Sequence, residues 1–158
     1  MEKLIQQLKE DTLQSDYAQK KLVFGEGKQN AKICMVGEAP GGDEEKQGRP
    51  FVGKAGKNLS SFLEAVGLKR EEIYITNVVK FPPTNISPKT GKFVNRPPKK
   101  TEIAFFLPYL MKELALVQPE IIVTLGNVPL KAITGQESAS IGDMHGEITK
   151  TKEGYQLF

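Results

Sequence analysis

Three short apolar runs, Ala31–Val36, Ile73–Val79 and Ile121–Leu125, constrain this chain more than any other feature. Lys32 and Asn77 are the only strongly polar residues in them. Continuous apolar runs of this length, rich in β-branched residues, read as strands buried on both faces of a parallel sheet. Segments of helical period lie between them. Leu4, Ile5, Leu8 and Thr12 predict a helix from residue 2 to about 19, and Leu59, Phe62, Leu63 and Val66 predict another, closed by Gly67. Ile103, Phe106, Leu107, Leu110, Met111, Leu114 and Val117 make the clearest stripe, which Pro119 ends. Val128–Ile133 starts a last helix, stopped at Gly135. Glu147–Lys152 and Tyr155–Phe158 predict a hairpin or two short strands, Phe24–Gly27 a turn, and the Pro- and Lys-rich stretch Phe81–Lys100 an irregular loop. Strand and helix alternate, so the expected class is α/β, a three-layer αβα arrangement with a mostly parallel central sheet. At 158 residues, one domain spanning 1–158 is expected.

Composition narrows the function classes. The only cysteine is Cys34, inside the first strand, and the only histidine is His145. A disulfide framework and a metal site built from Cys and His clusters are therefore excluded. No segment approaches the roughly 18 apolar residues of a membrane span. Met1–Glu10 alternates charged and apolar residues and does not read as a signal peptide, so a cytoplasmic protein without a membrane partner is expected. The net charge of +3 is compatible with nucleic acid without establishing it.

The loops leaving the carboxyl ends of the three strands hold Gly37–Phe51, Asn77–Phe81 and Gly126-Asn127, and in an open α/β sheet such loops converge on the ligand site. Gly48-Arg-Pro-Phe-Val-Gly53-Lys54-Ala55 fits G-x-x-x-x-G-K but ends in Ala, without the hydroxyl that binds magnesium, and it does not directly follow a strand. Nucleophilic catalysis has little support, because Cys34 is mid-strand and His145 has no obvious partner in sequence. What remains is an aromatic, Phe51, a planar amide, Asn77, and backbone groups at Glu38 to Gly42. An amide pairs with a nucleobase edge and an aromatic stacks on its face. A tucked Phe in a surface loop and a satisfied structural Asn are the plain alternatives.

At these residues the chain resembles the uracil-DNA glycosylase superfamily, most closely the family 4 enzymes. The resemblance rests on Gly37-Glu-Ala-Pro-Gly41, Gly48-Arg-Pro-Phe-Val-Gly53, Ala55-Gly56, Tyr74-Ile-Thr-Asn-Val-Val-Lys80, Pro108-Tyr109-Leu110 and Leu125-Gly126, in the family's order across residues 23 to 126. It implies an enzyme that flips uracil out of DNA and hydrolyses its N-glycosidic bond, with uracil-containing DNA as partner. By the same resemblance Phe51 stacks on the base, Asn77 reads O4 and N3–H, and the backbone around Ala39 and Gly41 holds O2 and the sugar. Ala39 cannot activate water, so stabilisation of the leaving uracil anion would carry the reaction. Glu38, Asp43 and Glu44 are the acidic candidates for steadying the cation or guiding water. Arg49, Lys80, Lys89, Lys92, Arg96, Lys99 and Lys100 are the expected DNA contacts, and a monomer is expected.

The chain departs from the family pattern in three ways. Two positions of the family's four-cysteine iron–sulfur cluster carry Phe81 and Phe106, so no such cofactor is expected, and hydrophobic packing is expected in its place. The family's C-terminal His-Pro motif does not occur before Phe158, and His145 does not replace it. A shortened form is the expectation, and with it an alternative function: a catalytically impaired domain that binds uracil or nucleic acid. Lastly, the loop Thr84–Lys100 is expanded and basic, which suggests a strip that contacts phosphate.

Overall fold

The computed structural model describes residues Met1–Phe158. The elements run α1 (Glu2–Leu13), β1 (Glu26–Gly27), β2 (Ile33–Gly37), α2 (Gly42–Gln47), α3 (Lys54–Ala65), β3 (Tyr74–Asn77), β4 (Thr84–Ile86), β5 (Phe93–Asn95), α4 (Lys100–Val117), β6 (Ile121–Thr124), α5 (Asn127–Thr134), α6 (Ile141–Met144), β7 (Thr149–Lys150) and β8 (Gln156–Leu157). A six-stranded sheet has the order β1-β3-β2-β6-β8-β7. Its four inner strands are mutually parallel, and β1 and β7 close the edges antiparallel. The three apolar runs are its centre: Met35 of β2 lies between Ile75 of β3 and Val123 of β6.

Alternate residues of these strands feed two cores, as the period of a strand requires. Cys34, Val36, Tyr74 and Ile122 face the larger core with α4 residues Phe106, Leu110 and Leu114 and α5 residues Leu130 and Ile133. Met35, Ile73 and Ile75 face the smaller one with Leu59 and Leu63 of α3. Helices therefore cover both faces, and the three-layer αβα expectation holds. Two aromatics, Phe81 and Phe106, lie at the heart of the larger core. Phe81 and Phe106 pack edge to face at 5.7 Å between ring centres, and Tyr17 packs on both, at 5.4 and 5.9 Å. Phe105 extends the cluster, 4.9 Å from Phe106 and 5.1 Å from Tyr17. These contacts, each worth about 0.5–1.5 kcal/mol beyond area burial, fix the segment after α1, the start of the Pro-rich stretch and α4 to one another.

Several expectations are corrected. The first helix stops at Leu13 rather than near residue 19. The loop after β2 contains α2, and Glu26–Gly27 pairs as an edge strand instead of a simple turn. Most consequentially, Phe81–Lys100 is not irregular: β4 and β5 form an antiparallel hairpin with register Thr84↔Asn95, Asn85↔Val94 and Ile86↔Phe93. Its turn is closed by Ser87 N–H donating to the Lys92 carbonyl at 2.8 Å and Gly91 N–H donating to the Ser87 carbonyl at 2.8 Å. No helix is long and apolar enough to cross a membrane.

Candidate functional site

β2 and β3 end side by side, with Gly37 registered against Asn77. The pairing continues one step beyond the strands, where Val78 and Val79 N–H donate to the carbonyls of Gly37 and Glu38. The Asn77 side chain is thereby held at the floor of a polar cavity of about 400 Å³. Glu38, Ala39, Gly41, Asp43, Phe51, Lys54, Pro83, Asn95 and Arg96 are among its lining residues. Asn77 is only 4% exposed, and its Oδ1 has no hydrogen-bond partner. A buried amide oxygen without a partner costs on the order of 1–3 kcal/mol. Here that oxygen is enclosed beside the Phe51 ring, in a residue that lines the open cavity.

Phe51 forms the cavity's other decisive wall. Its backbone has φ +51, a left-handed conformation rare for a bulky residue. Arg70 holds it there: one guanidinium nitrogen donates to the Phe51 carbonyl at 2.8 Å, and another donates to the Pro50 carbonyl. Gly56 makes the path available, because a Cβ at this position would lie 1.9 Å from the Phe51 carbonyl oxygen. Gly37 does the same for the ring, because its Cβ would lie 2.5 Å from Phe51 Cζ and 2.4 Å from Asn77 Oδ1. A bare backbone at Gly37 is thus the condition for ring and amide to meet.

Glu44 shapes the remaining wall. It is buried, and its carboxylate accepts from Gly41 N–H at 3.1 Å, Val52 N–H at 3.2 Å and Gly53 N–H at 2.9 Å. One side chain thus ties both limbs of the long loop together. This clasp takes Glu44 out of the set of acids that could meet a substrate. It also commits the Gly41 N–H, so Gly41 offers the cavity a surface rather than a donor. Glu38 and Asp43 both line the cavity, and partial burial pushes the Glu38 carboxyl above the usual carboxylate range.

The expected DNA contacts divide. Lys80 is a correction: it is 2% exposed, and its ammonium donates to Glu113 at 2.7 Å, Thr76 Oγ1 at 2.6 Å and the Asn77 carbonyl at 2.8 Å. An ammonium so enclosed reaches no phosphate. It lies beneath the strand that carries Asn77, in a buried group completed by Tyr74, whose hydroxyl donates to Glu113 at 2.7 Å. Arg49 is exposed and lies off the cavity, in a bidentate pair with Glu26 at 2.8 and 2.9 Å. The Arg49 hydrogen bond is the main reason why the Glu26 carboxyl sits below its usual range. Arg96 lines the cavity, but its guanidinium is engaged by Glu102 at 2.6 and 3.2 Å and by the Thr84 carbonyl at 3.2 Å. Lys89, Lys92 and Lys99 are exposed, and Lys100 makes only a loose surface pair with Glu137 at 3.4 Å.

Gly126 does not join the polar cavity. It lines an adjacent apolar groove of about 470 Å³ with Leu125, Leu130, Phe158 and the exposed His145, and Phe51 is the wall between the two. The residues present do not fit a four-thiolate iron–sulfur cluster. Cys34 is the one cysteine, it is enclosed in β2, and burial pushes its thiol up. The rings of Phe81 and Phe106 fill their surroundings with carbon.

The family model described as the uracil DNA glycosylase superfamily matches residues 24–157. The chain belongs to that superfamily. It is 44% identical over 131 residues to a type-4 uracil-DNA glycosylase of Sulfurisphaera tokodaii, a match covering 82% of this chain and 54% of that protein. It is 38% identical over 131 residues to one of Pyrobaculum aerophilum, covering 81% of this chain and 62% of the relative. Over 104 residues it is 45% identical to one of Archaeoglobus fulgidus, covering 66% and 48%. The chain thus spans between about half and three fifths of the length of these curated relatives. The matched region of the superfamily contains every wall of the polar cavity, from Glu38 to Arg96.

Proposed function

We propose that this chain is a uracil-DNA glycosylase, which hydrolyses the N-glycosidic bond of deoxyuridine in DNA and leaves an abasic site. The observation that carries this reading is the unpartnered Oδ1 of buried Asn77 beside the Phe51 ring. Uracil presents N3–H and O4 side by side, which match the carbonyl oxygen and NH₂ of an amide. Cytosine presents an acceptor and a donor in those places and is mismatched at both. The flipped base lies on Phe51, and the small Ala39 leaves room for it. As the glycosidic bond lengthens, negative charge gathers on the uracil ring and positive charge on the sugar. The Asn77 NH₂ opposes the charge on O4, and Glu38 or Asp43 steadies the sugar cation and guides water to it. The curated relatives carry this activity in their names, which supports the reading.

A second reading, a domain that binds uracil in DNA with impaired turnover, rests on one observation. The only histidine, His145, lies on the apolar groove beyond Phe51, so no imidazole lines the polar cavity. One experiment separates the two. A uracil-containing oligonucleotide is incubated with the chain and treated with alkali. Strand cleavage that falls about 100-fold or more in Asn77→Ala supports the glycosylase, by the scale of losing one preorganised donor. Binding of the same oligonucleotide without cleavage supports the second reading, and neither binding nor cleavage rejects both.

A further inference from the structure

The β4–β5 hairpin leaves exposed what most hairpins bury. Ile86 is 64% exposed and Phe93 75%. The two are directly opposed in the ladder, so their side chains share one face. Val94, 45% exposed, lies on the other face opposite Asn85. A two-stranded ladder is marginal by itself, and an exposed cross-strand pair of this kind adds only about 0.2–1 kcal/mol to it. This hairpin is instead held at its base. Arg96 N–H donates to the Pro83 carbonyl at 3.0 Å, and the Arg96 guanidinium bridges the Thr84 carbonyl to Glu102. Glu102 in turn caps α4 by accepting from Lys99 N–H at 2.8 Å. The hairpin is therefore a braced projection rather than a loose loop.

Its position and charge indicate what it meets. Pro83, Asn95 and Arg96 at its base line the polar cavity, so the projection rises from that cavity's rim. Its turn carries exposed Lys89 and Lys92, and residues 82–100 contain no Asp or Glu. An aromatic flanked by cations and free of acids is complementary to a base stack bounded by phosphates.

We propose that the β4–β5 hairpin is a DNA-docking element, in which Phe93, backed by Ile86, stacks on the bases beside the flipped nucleotide while Lys89 and Lys92 contact the backbone. The inference rests on the glycosylase reading, and it adds a second aromatic contact outside the base pocket. Stacking Phe93 into the vacated position would keep the duplex from closing behind the extruded base.

The chain contains no tryptophan, so Phe93→Trp supplies a single reporter at the surface. The probe is a duplex with one 2′-fluoro-deoxyuridine, whose fluorine slows glycosidic cleavage, and binding is followed by anisotropy of labelled DNA. The expected result has three parts. On binding, the indole emission of the Phe93→Trp variant is quenched and shielded from iodide. Phe93→Ala weakens binding about tenfold, the scale of one lost base–aromatic stack, and Phe93→Leu does not restore it. Phe93→Ala leaves the salt dependence unchanged, whereas Lys89→Ala with Lys92→Ala lowers the slope by about 0.9 per lysine. DNA binding that leaves the indole emission of Phe93→Trp unchanged, or Phe93→Ala binding like the parent, overturns the docking role and leaves the glycosylase reading standing. Absence of DNA binding by the parent chain, with no uracil release, overturns both.

Discussion

Replacing Glu113 by leucine removes the centre of the buried group beneath β3. In the parent, the Glu113 carboxylate accepts from Lys80, Thr76 and Tyr74 at 2.7 to 3.1 Å. In Glu113→Leu the Lys80 ammonium stays enclosed with two neutral partners, the Thr76 hydroxyl and the Asn77 carbonyl. Removing one member of a buried ion pair costs about 3–5 kcal/mol, because the other charge is left uncompensated. In a chain of 158 residues each kcal/mol moves the melting temperature by about 2–4 °C, so a fall of about 6–20 °C follows. The double variant Lys80→Met/Glu113→Leu removes both charges and should be more stable than Glu113→Leu alone, with a coupling energy of about 2–3 kcal/mol. Urea unfolding followed by far-ultraviolet circular dichroism, across the parent, both single variants and the double, measures that coupling. A cost below about 1 kcal/mol for Glu113→Leu, or a double variant whose cost is the sum of the two singles, would refute the argument. The same cycle carries a functional readout. Lys80 also holds the Asn77 carbonyl, so Lys80→Met should lower uracil release about tenfold well below its unfolding temperature.

Three further outcomes follow from other parts of the site. Gly37→Ala drives a methyl group into Phe51 and Asn77, and uracil release should fall more than tenfold while circular dichroism at low temperature keeps the parent's shape. Burial raises the Glu102 carboxyl, but the Arg96 guanidinium and the Lys99 amide outweigh it and hold it below the usual range. A carboxyl depressed in the folded state contributes stability above its unfolded value, about pH 4.3, that is lost as the pH falls through the folded value. The protection factors of the hairpin amides should therefore fall below about pH 4, and Glu102→Gln should flatten that dependence. Phe106→Ala empties the centre of the aromatic cluster and should cost about 3–5 kcal/mol in the same urea titration.

The sheet was legible in the sequence because its signal is local. The runs at Met35, Ile75 and Ile122 state their own burial, and the stripe from Ile103 to Val117 states its own face. Phe51 and Asn77 were legible because each is the wrong residue type for its surroundings unless something lies against it. Other features depend on partners far along the chain. Lys80 follows a strand into a loop, where a lysine ordinarily meets water, and its partner Glu113 is 33 residues away on α4. The sequence shows Glu44 as one acid among several, and only the fold brings Val52 and Gly53 back to it. The helix Gly42–Gln47 is polar and six residues long, too short for a period to register. In the hairpin, the five prolines around it hid three-residue strands that a salt bridge to α4, not a hydrophobic face, holds in place.

The cluster of Tyr17, Phe81, Phe105 and Phe106 has a consequence for how this protein comes into being. A scaffold pinned by inorganic sulfide and iron waits on a supply chain: metal import, sulfur mobilisation and an assembly apparatus must all deliver before it is whole. Rings travel with the ribosome's own product. The segment that carries Phe81 and the helix that carries Phe106 are joined by the packing of their own side chains. Nothing in that junction can be stripped by a chelator, bleached by peroxide or starved by iron limitation.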